Sequence, residues 1–495
     1  MILRSARVVF SDAVRPASIH IEDGRIARVG PHDDTGSGRR SAKASAEGRE
    51  ELVDVGALVI SPGIVDTHVH VNEPGRTDWE GFDTATCAAA AGGVTMVVDM
   101  PLNSVPATTT VAGLEAKRAA AARRCHVDVA FWGGVVPGNA GEIDALVEAG
   151  VRGFKCFLVP SGVDEFPAVN ETDLREAMPI LARRNVPLLV HAESPRHIAD
   201  LGLRNADFSL QSNPQSNPQS NPQSNPQSAI RIPQYARYLA TRPPAAEVEA
   251  IRMMVRLSLE FGLHVHIVHV ASAEAAAEIR RAKADGACIT AETCPHYLTF
   301  AAEEIPDGAT EYKCAPPIRQ ASQREALWNA LQAGVLDLVA TDHSPAPPAM
   351  KCPGDFMRAW GGIASLELSL AAVWTAGVSR EFSPLESQLS GRLSAASSES
   401  KVDPCALARW MSAAPAALAG FANRKGRIAA GCDADLIVWD PDAQWTVEAA
   451  RLHQRHKLTP YAGRRLRGVV HATYLRGERV WDAGRLAHGA TGRLL

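Results

Sequence analysis

Eight short apolar segments recur through the middle of this chain, at residues 58–65, 95–100, 127–135, 151–159, 187–190, 265–270, 288–291 and 336–340. Most gaps between them hold Ala/Leu/Arg/Glu-rich stretches of helical pattern, such as 142–149, 172–184, 247–261, 274–283 and 323–333. Strand and helix alternating in this way build a parallel sheet with its helices packed outside it. Eight such repeats predict an α/β fold, a (β/α)8 TIM-type barrel. Barrels of that kind carry their chemistry at the C-terminal ends of the strands.

Both chain ends follow a different pattern. Val8-Val9-Phe10 and Ser18-Ile19-His20-Ile21 are β-prone, as are Asp435-Leu436-Ile437-Val438-Trp439 and Ala472-Thr473-Tyr474-Leu475. Strands at opposite ends of a chain can pair into one small domain. The expected organisation is residues 1–57 and 428–495 in that β domain, and 58–427 in the barrel. Within the barrel segment, residues 212–227 repeat Ser-Asn-Pro-Gln four times. Proline at every fourth position forbids helix, and the lack of apolar residues forbids burial. The insert at 211–228 therefore reads as a disordered surface loop after the fifth strand. Residues 33–50 and the Ser-rich stretch 387–400 read as further loops.

Composition excludes several partners. Lys+Arg total 51 against 55 Asp+Glu, a net charge of −4, which is too near neutral for a broad nucleic-acid-binding face. The longest apolar stretch, 84–98, contains two glycines and falls short of the ~20 residues that a membrane helix needs. The N-terminus lacks the pattern of a signal peptide. Nine scattered cysteines without a regular framework suit reduced thiols in a cytoplasmic protein.

The strongest chemical signal is Asp66-Thr67-His68-Val69-His70, directly after the first apolar segment. Residues i and i+2 of a strand share a face, so His68 and His70 would converge on the barrel mouth as a metal-ligand pair. Other strand ends agree. The fifth ends at Val190-His191-Ala192-Glu193, the sixth at Val268-His269-Val270, and the eighth at Ala340-Thr341-Asp342-His343. A lone histidine at a strand end is more often a core or surface residue; several in register on separate strands are hard to explain that way. His264 and His266 read as structural, because only a residue beyond the last buried position of strand six reaches the mouth. His343 reads as a neighbour of the ligands, and His296 as lining the mouth.

Lys155, in the fourth segment, is the unusual member. An ammonium would repel metal ions, whereas an amine carbamylated by CO2 becomes a carboxylate able to bridge two of them. Four histidines give two ligands per metal and leave both ions short of anions, which favours the carbamate.

The motifs Asp66-Thr67-His68-Val69-His70-Val71-Asn72-Glu73-Pro74-Gly75-Arg76-Thr77, Trp79-Glu80-Gly81-Phe82, Asp99-Met100-Pro101-Leu102-Asn103, Gly153-Phe154-Lys155-Cys156-Phe157-Leu158, Glu292-Thr293-Cys294-Pro295-His296-Tyr297-Leu298 and Lys313-Cys314-Ala315-Pro316-Pro317-Ile318-Arg319 resemble those of the allantoinases. That family sits with dihydroorotases and hydantoinases among the cyclic amidohydrolases. The resemblance runs from about residue 50 to the C-terminus. It implies a barrel with a small β-sandwich built from both termini, a homo-oligomer (tetramer or dimer), and a binuclear site. The implied ligands are His68, His70, Lys155 as its carbamate, His191, His269 and Asp342. Two divalent ions are expected, Zn2+ first, with Co2+, Mn2+ or Fe2+ also compatible with the donors. A hydroxide shared by the ions would attack the ring amide, with Asp342 moving its proton to the departing nitrogen.

Two departures bear on the small-molecule substrate. Dihydroorotases carry an arginine two positions after the second histidine, where it binds the substrate carboxylate; this chain has Asn72, which suits a neutral ring. Hydantoinases carry a tyrosine five residues after the lysine; here that position is Pro160, leaving its oxyanion role to a neighbour such as Ser161. Both favour allantoin. Asn103 and the backbone at Ala315 are further candidates for substrate contact.

Overall fold

The computed structural model describes residues 1–35, 51–198, 233–379, 402–487 and 489–495. The 211–228 insert and the Ser-rich stretch 387–400 lie outside the described residues, as does most of the 33–50 segment.

The barrel is closed and parallel. Its strands are Ile64–Val69, Val94–Asp99, Asp128–Phe131 continuing past Trp132 into Gly133–Gly134, Phe154–Phe157, Leu188–His191, Val265–Ile267, Ile289–Thr293 and Leu338–Val339. Each pairs in parallel with the next. Closure comes where Val69 bridges His343. There His70 N donates to His343 O at 2.8 Å and His343 N to His68 O at 3.3 Å. The seam that closes the barrel is thus made by the residues that build the site.

Helices cover the outside for reasons visible in their ends and faces. Glu171–Arg184 begins at a reciprocal cap, in which the Asn170 side chain accepts from Thr172 N and Asp173 N while Asp173 accepts from Asn170 N. Acidic residues fill its first turn and arginines its last, complementing the helix dipole. It buries Leu174, Ala177, Met178 and Leu181, one stripe at helical spacing. Ser272 caps Ala273–Ala284 one way, its hydroxyl accepting from Ala275 N.

The apolar run 58–65, which reads as a single strand, divides. Val59–Pro62 pairs with Ile2–Val9 and with Leu436–Thr446 in a nine-stranded sheet made from both chain ends, whereas Ile64–Val69 enters the barrel. Gly63 carries the chain across; a Cβ there would collide with Thr95. Leu3, Val8, Ile19, Ile26, Ile60, Leu436, Val438 and Tyr474 form one apolar core inside the terminal sheet, the filling of a small β-sandwich. Buried charge ties this domain to the barrel. Lys425 Nζ lies 2.8 Å from Asp128 on the third barrel strand and 2.5 Å from Asp435. Arg476 reaches Asp128 at 2.5 Å. Among the described residues no helix is long and apolar enough to cross a membrane. All nine cysteines are unpaired.

Candidate metal centre

His68 and His70 both project into the mouth from the end of the first strand. Asp342, past the eighth strand, places Oδ1 3.2 Å from His68 Nε2 and 3.4 Å from His70 Nε2. Ligand atoms of the three lie within 4.8 Å of one another, and all three residues are buried. The remaining rings continue the cluster. His269 centres 5.5 Å from His68 and 4.5 Å from His191, and His191 stacks on Phe157 at 4.6 Å. Lys155 Nζ sits 5.0 Å from the same Phe157 ring. The six residues expected as ligands therefore converge on one end of the barrel.

Their electrostatics suit a cation. Burial pushes His70, His191 and His269 below the ordinary imidazole value, which leaves them neutral with a lone pair to give. Burial also lowers Lys155 to about 8, against the partial support of Glu292 and Asp342. Burial alone would raise Asp342, but His68 and His70 outweigh it and hold the carboxylate well below its usual range. Two deeply buried polar atoms, Lys155 Nζ and His269 Nδ1, have no hydrogen-bond partner. Unpartnered buried donors and acceptors are costly in a finished protein. Imidazoles with a carboxylate form a donor set for a divalent metal, and the residues present fit one.

Carboxylates behind the ligands aim them. Glu292 is fully buried; its Oε1 accepts from His68 Nδ1 at 2.5 Å and its Oε2 from His266 Nε2 at 3.1 Å. Burial opposes the charge of Glu292, yet these two imidazoles lower it to about 2. His68 is thereby protonated at Nδ1, and its bare Nε2 faces the cluster. His191 donates Nε2–H to Glu193 at 2.8 Å, and Glu193 is itself paired with Arg242. Asp66 accepts from the backbone of His68 and of Thr341, while burial raises it to about 6. Sequence reasoning passed over Glu292, although it follows an apolar run at a strand end, the same signal that marked the histidines.

Four residues of the mouth hold left-handed backbone: Asn72 (φ 66°), Asn103 (φ 65°), His269 (φ 42°) and Asp342 (φ 47°). Each such non-glycine residue costs on the order of 1 kcal/mol, and the surrounding hydrogen bonds must hold it there. The remaining histidines separate by partner. His264 and His266 both meet Thr290 Oγ1, at 2.7 and 2.8 Å. His343 Nδ1 accepts from Ser365 N and Leu366 N, and its Nε2 lies 3.5 Å from Glu80. His296 is fully buried with neither ring nitrogen engaged.

The candidates for substrate contact differ in availability. Asn72 donates to Pro345 O at 3.3 Å and keeps a buried Oδ1 unpartnered. Asn103 Nδ2 lies 3.5 Å from His70 Nδ1. The Ser161 hydroxyl donates within its own loop, to Phe166 O at 2.6 Å. Ala315 lies in a backbone segment staked by two tyrosines, Tyr238 on Cys314 O and Tyr297 on Pro316 O.

A closed parallel barrel whose mouth gathers neutral imidazoles, a carboxylate and a buried lysine defines a metal-dependent hydrolase architecture. The model of the amidohydrolase family matches residues 59–480, and the chain belongs to that family. Within it the chain stands with the allantoinases. It is 45% identical to the allantoinase of Streptomyces avermitilis, covering 100% of this chain and 98% of that protein. It is 41% identical to the Saccharomyces cerevisiae allantoinase over 87% of this chain and 84% of that one, and 38% identical to that of Arabidopsis thaliana over 99% and 90%. Among solved structures, the L-hydantoinase of Arthrobacter aurescens superimposes with a TM-score of 0.82 at 29% identity, covering 100% of this chain and 98% of that one.

Proposed function

We propose that this enzyme opens the hydantoin ring of allantoin by hydrolysis to give allantoate. The observation that carries the reading is Asn72, an uncharged, buried side chain at the mouth with its Oδ1 unpartnered. A cationic residue at that position would call for an anionic substrate, whereas an amide suits the N–H and C=O edges of a neutral ureide. A hydantoinase reading has less support, because Pro160 occupies the position of the hydantoinase tyrosine.

His68, His70, His191, His269, Asp342 and the carbamate of Lys155 would hold two divalent ions, Zn2+ being the first expectation. Such ions supply Lewis-acid polarisation of the scissile carbonyl and lower the pKa of water. The Lys155 environment supports the carbamate. A buried amine lowered to about 8 has a substantial neutral fraction near physiological pH. Its nitrogen can add to CO2 and lose a proton, giving an anion where an ammonium would repel the ions. Asp342, whose Oδ1 lies between two imidazoles, would accept a proton from the attacking water and return it to the departing ring nitrogen. One water is consumed and one ring C–N bond is broken. Asn72, Asn103 and the backbone at Ala315 orient the ring; Ser161 would have to release its loop carbonyl to join them. The enzyme is further proposed to work as a homo-oligomer in the cytoplasm, the latter in keeping with nine unpaired cysteines.

The test is purified protein incubated with racemic allantoin, with chromatographic detection of allantoate and metal analysis on the same sample. Dihydroorotate and monosubstituted hydantoins serve as comparison substrates. The expected result is allantoate formation with two ions per chain. Turnover confined to the comparison substrates would overturn the reading.

A further inference from the structure

The seventh barrel strand, Ile289–Thr293, sends no residue to the proposed ligand set, yet the short helix after it brings His296 to the mouth. This side chain is 0% exposed, and both Nδ1 and Nε2 lack a hydrogen-bond partner. It lies close enough to the Asp342 carboxylate for that charge to act on it. Its backbone is fixed, because His296 O accepts from Phe300 N at 3.0 Å. The ring packs edge-on against Tyr297 at 4.2 Å, and Tyr297 is itself anchored to Pro316 O at 2.6 Å. A rigid buried imidazole with two idle nitrogens beside a reaction centre is an incomplete hydrogen-bonding site. Burial keeps it neutral, lowering it to about 4, so it offers one N–H donor and one bare nitrogen. A ureido group presents the complement, a carbonyl oxygen and an N–H.

We propose that His296 is a specificity-determining residue that hydrogen-bonds the ureido arm of the substrate, its N–H to the arm's carbonyl and its bare nitrogen to the arm's N–H. The scissile amide must lie over the ligand cluster, so a group carried on the helix after the ligand-free seventh strand meets a part of the substrate away from the reacting bond. This assignment rests on the reading of the chain as an allantoin hydrolase.

The experiment compares metal-loaded full-length wild type with His296→Leu and His296→Gln. Allantoin is the substrate, and hydantoin, the same ring without the arm, is followed as a substrate or as a competitive inhibitor. Metal content and melting temperature are measured on each sample. His296→Leu should lower kcat/KM for allantoin by about tenfold to a hundredfold, since the arm's polar groups lose their partners on burial. Hydantoin turnover or inhibition should stay within about threefold, with metal content unchanged. His296→Gln, which can still donate and accept, should recover part of the loss. Parallel loss on both compounds, or undiminished allantoin turnover in His296→Leu, would overturn the assignment. Wild type active on hydantoin but inactive on allantoin would instead overturn the functional reading, and the assignment with it.

Discussion

Replacing Glu292 by glutamine changes almost no volume and removes one of two acceptors behind the metal centre. The carboxylate accepts from His68 Nδ1 at 2.5 Å and from His266 Nε2 at 3.1 Å. An amide can satisfy only one of them with its oxygen; its NH2 must face the other ring. If the NH2 faces His68, that ring shifts its proton to Nε2 and loses the lone pair aimed at the ligand cluster. If it faces His266, the displaced proton must go to Nδ1, 2.8 Å from Thr290 Oγ1, which already serves His264 at 2.7 Å. The first arrangement disarms a ligand; the second disturbs the hydrogen bonds that hold residue 292 behind it. Groups of this kind behind metal ligands are typically worth tenfold to a hundredfold in metal affinity, or about 1.4–2.8 kcal/mol at 1.4 kcal/mol per factor of ten. Competition with a chromophoric chelator at neutral pH measures the loss directly. The linkage gives a second readout on metal-free protein. Glu292 is depressed to about 2 from the ordinary glutamate value of 4.5. Its ionised form therefore contributes stability that is fully present above about 4.5 and is lost as pH falls toward about 2. The glutamine variant lacks that contribution, so its melting temperature should fall less between those pH values. Metal affinity within twofold of wild type would refute the argument that Glu292 aims His68.

Lys155→Ala should abolish both metal loading and turnover while the barrel still folds; normal loading with full activity would sink the carbamate bridge. In wild type, reconstitution of chelator-stripped enzyme with metal should be faster when bicarbonate is added, as followed by recovery of activity. Lys425→Met leaves Asp128, Asp433 and Asp435 buried without their shared cation, which lies 2.8, 3.2 and 2.5 Å from them. Breaking a buried ion network from one side costs about 3–5 kcal/mol, so urea unfolding should show a large loss of stability with the substrate KM unchanged in whatever protein remains folded. Glu165→Gln removes the partner of Arg76 across two loops of the mouth. Both side chains are about a quarter exposed, so the stability change should stay below ~1 kcal/mol in thermal melts.

The ease of reading each residue follows from the kind of regularity that places it. His68 and His70 need only the two-residue period of a strand, and a short window of sequence contains it. His269 was separated from His266 by where its strand ends. The structure ends that strand at Ile267 and turns His269 with a left-handed backbone, so strand alternation no longer governs it. The division of the 58–65 run was harder to see, because continuous hydrophobicity does not record a change of sheet. Pro62-Gly63 was its sole mark. The hydroxyl of Ser161 is committed by the local turn of its loop, which spacing from Lys155 does not encode. Glu292 shows the remaining gap most clearly, since it and His68 are 224 residues apart and their strands are not paired neighbours. They meet because barrel interiors are filled in layers contributed by alternate strands, and both lie on odd-numbered ones. Strand number, once counted, therefore says which distant side chains share a layer. The layering predicts that Glu292 on the seventh strand couples to His68 on the first, a coupling that double-mutant cycles on metal affinity would measure.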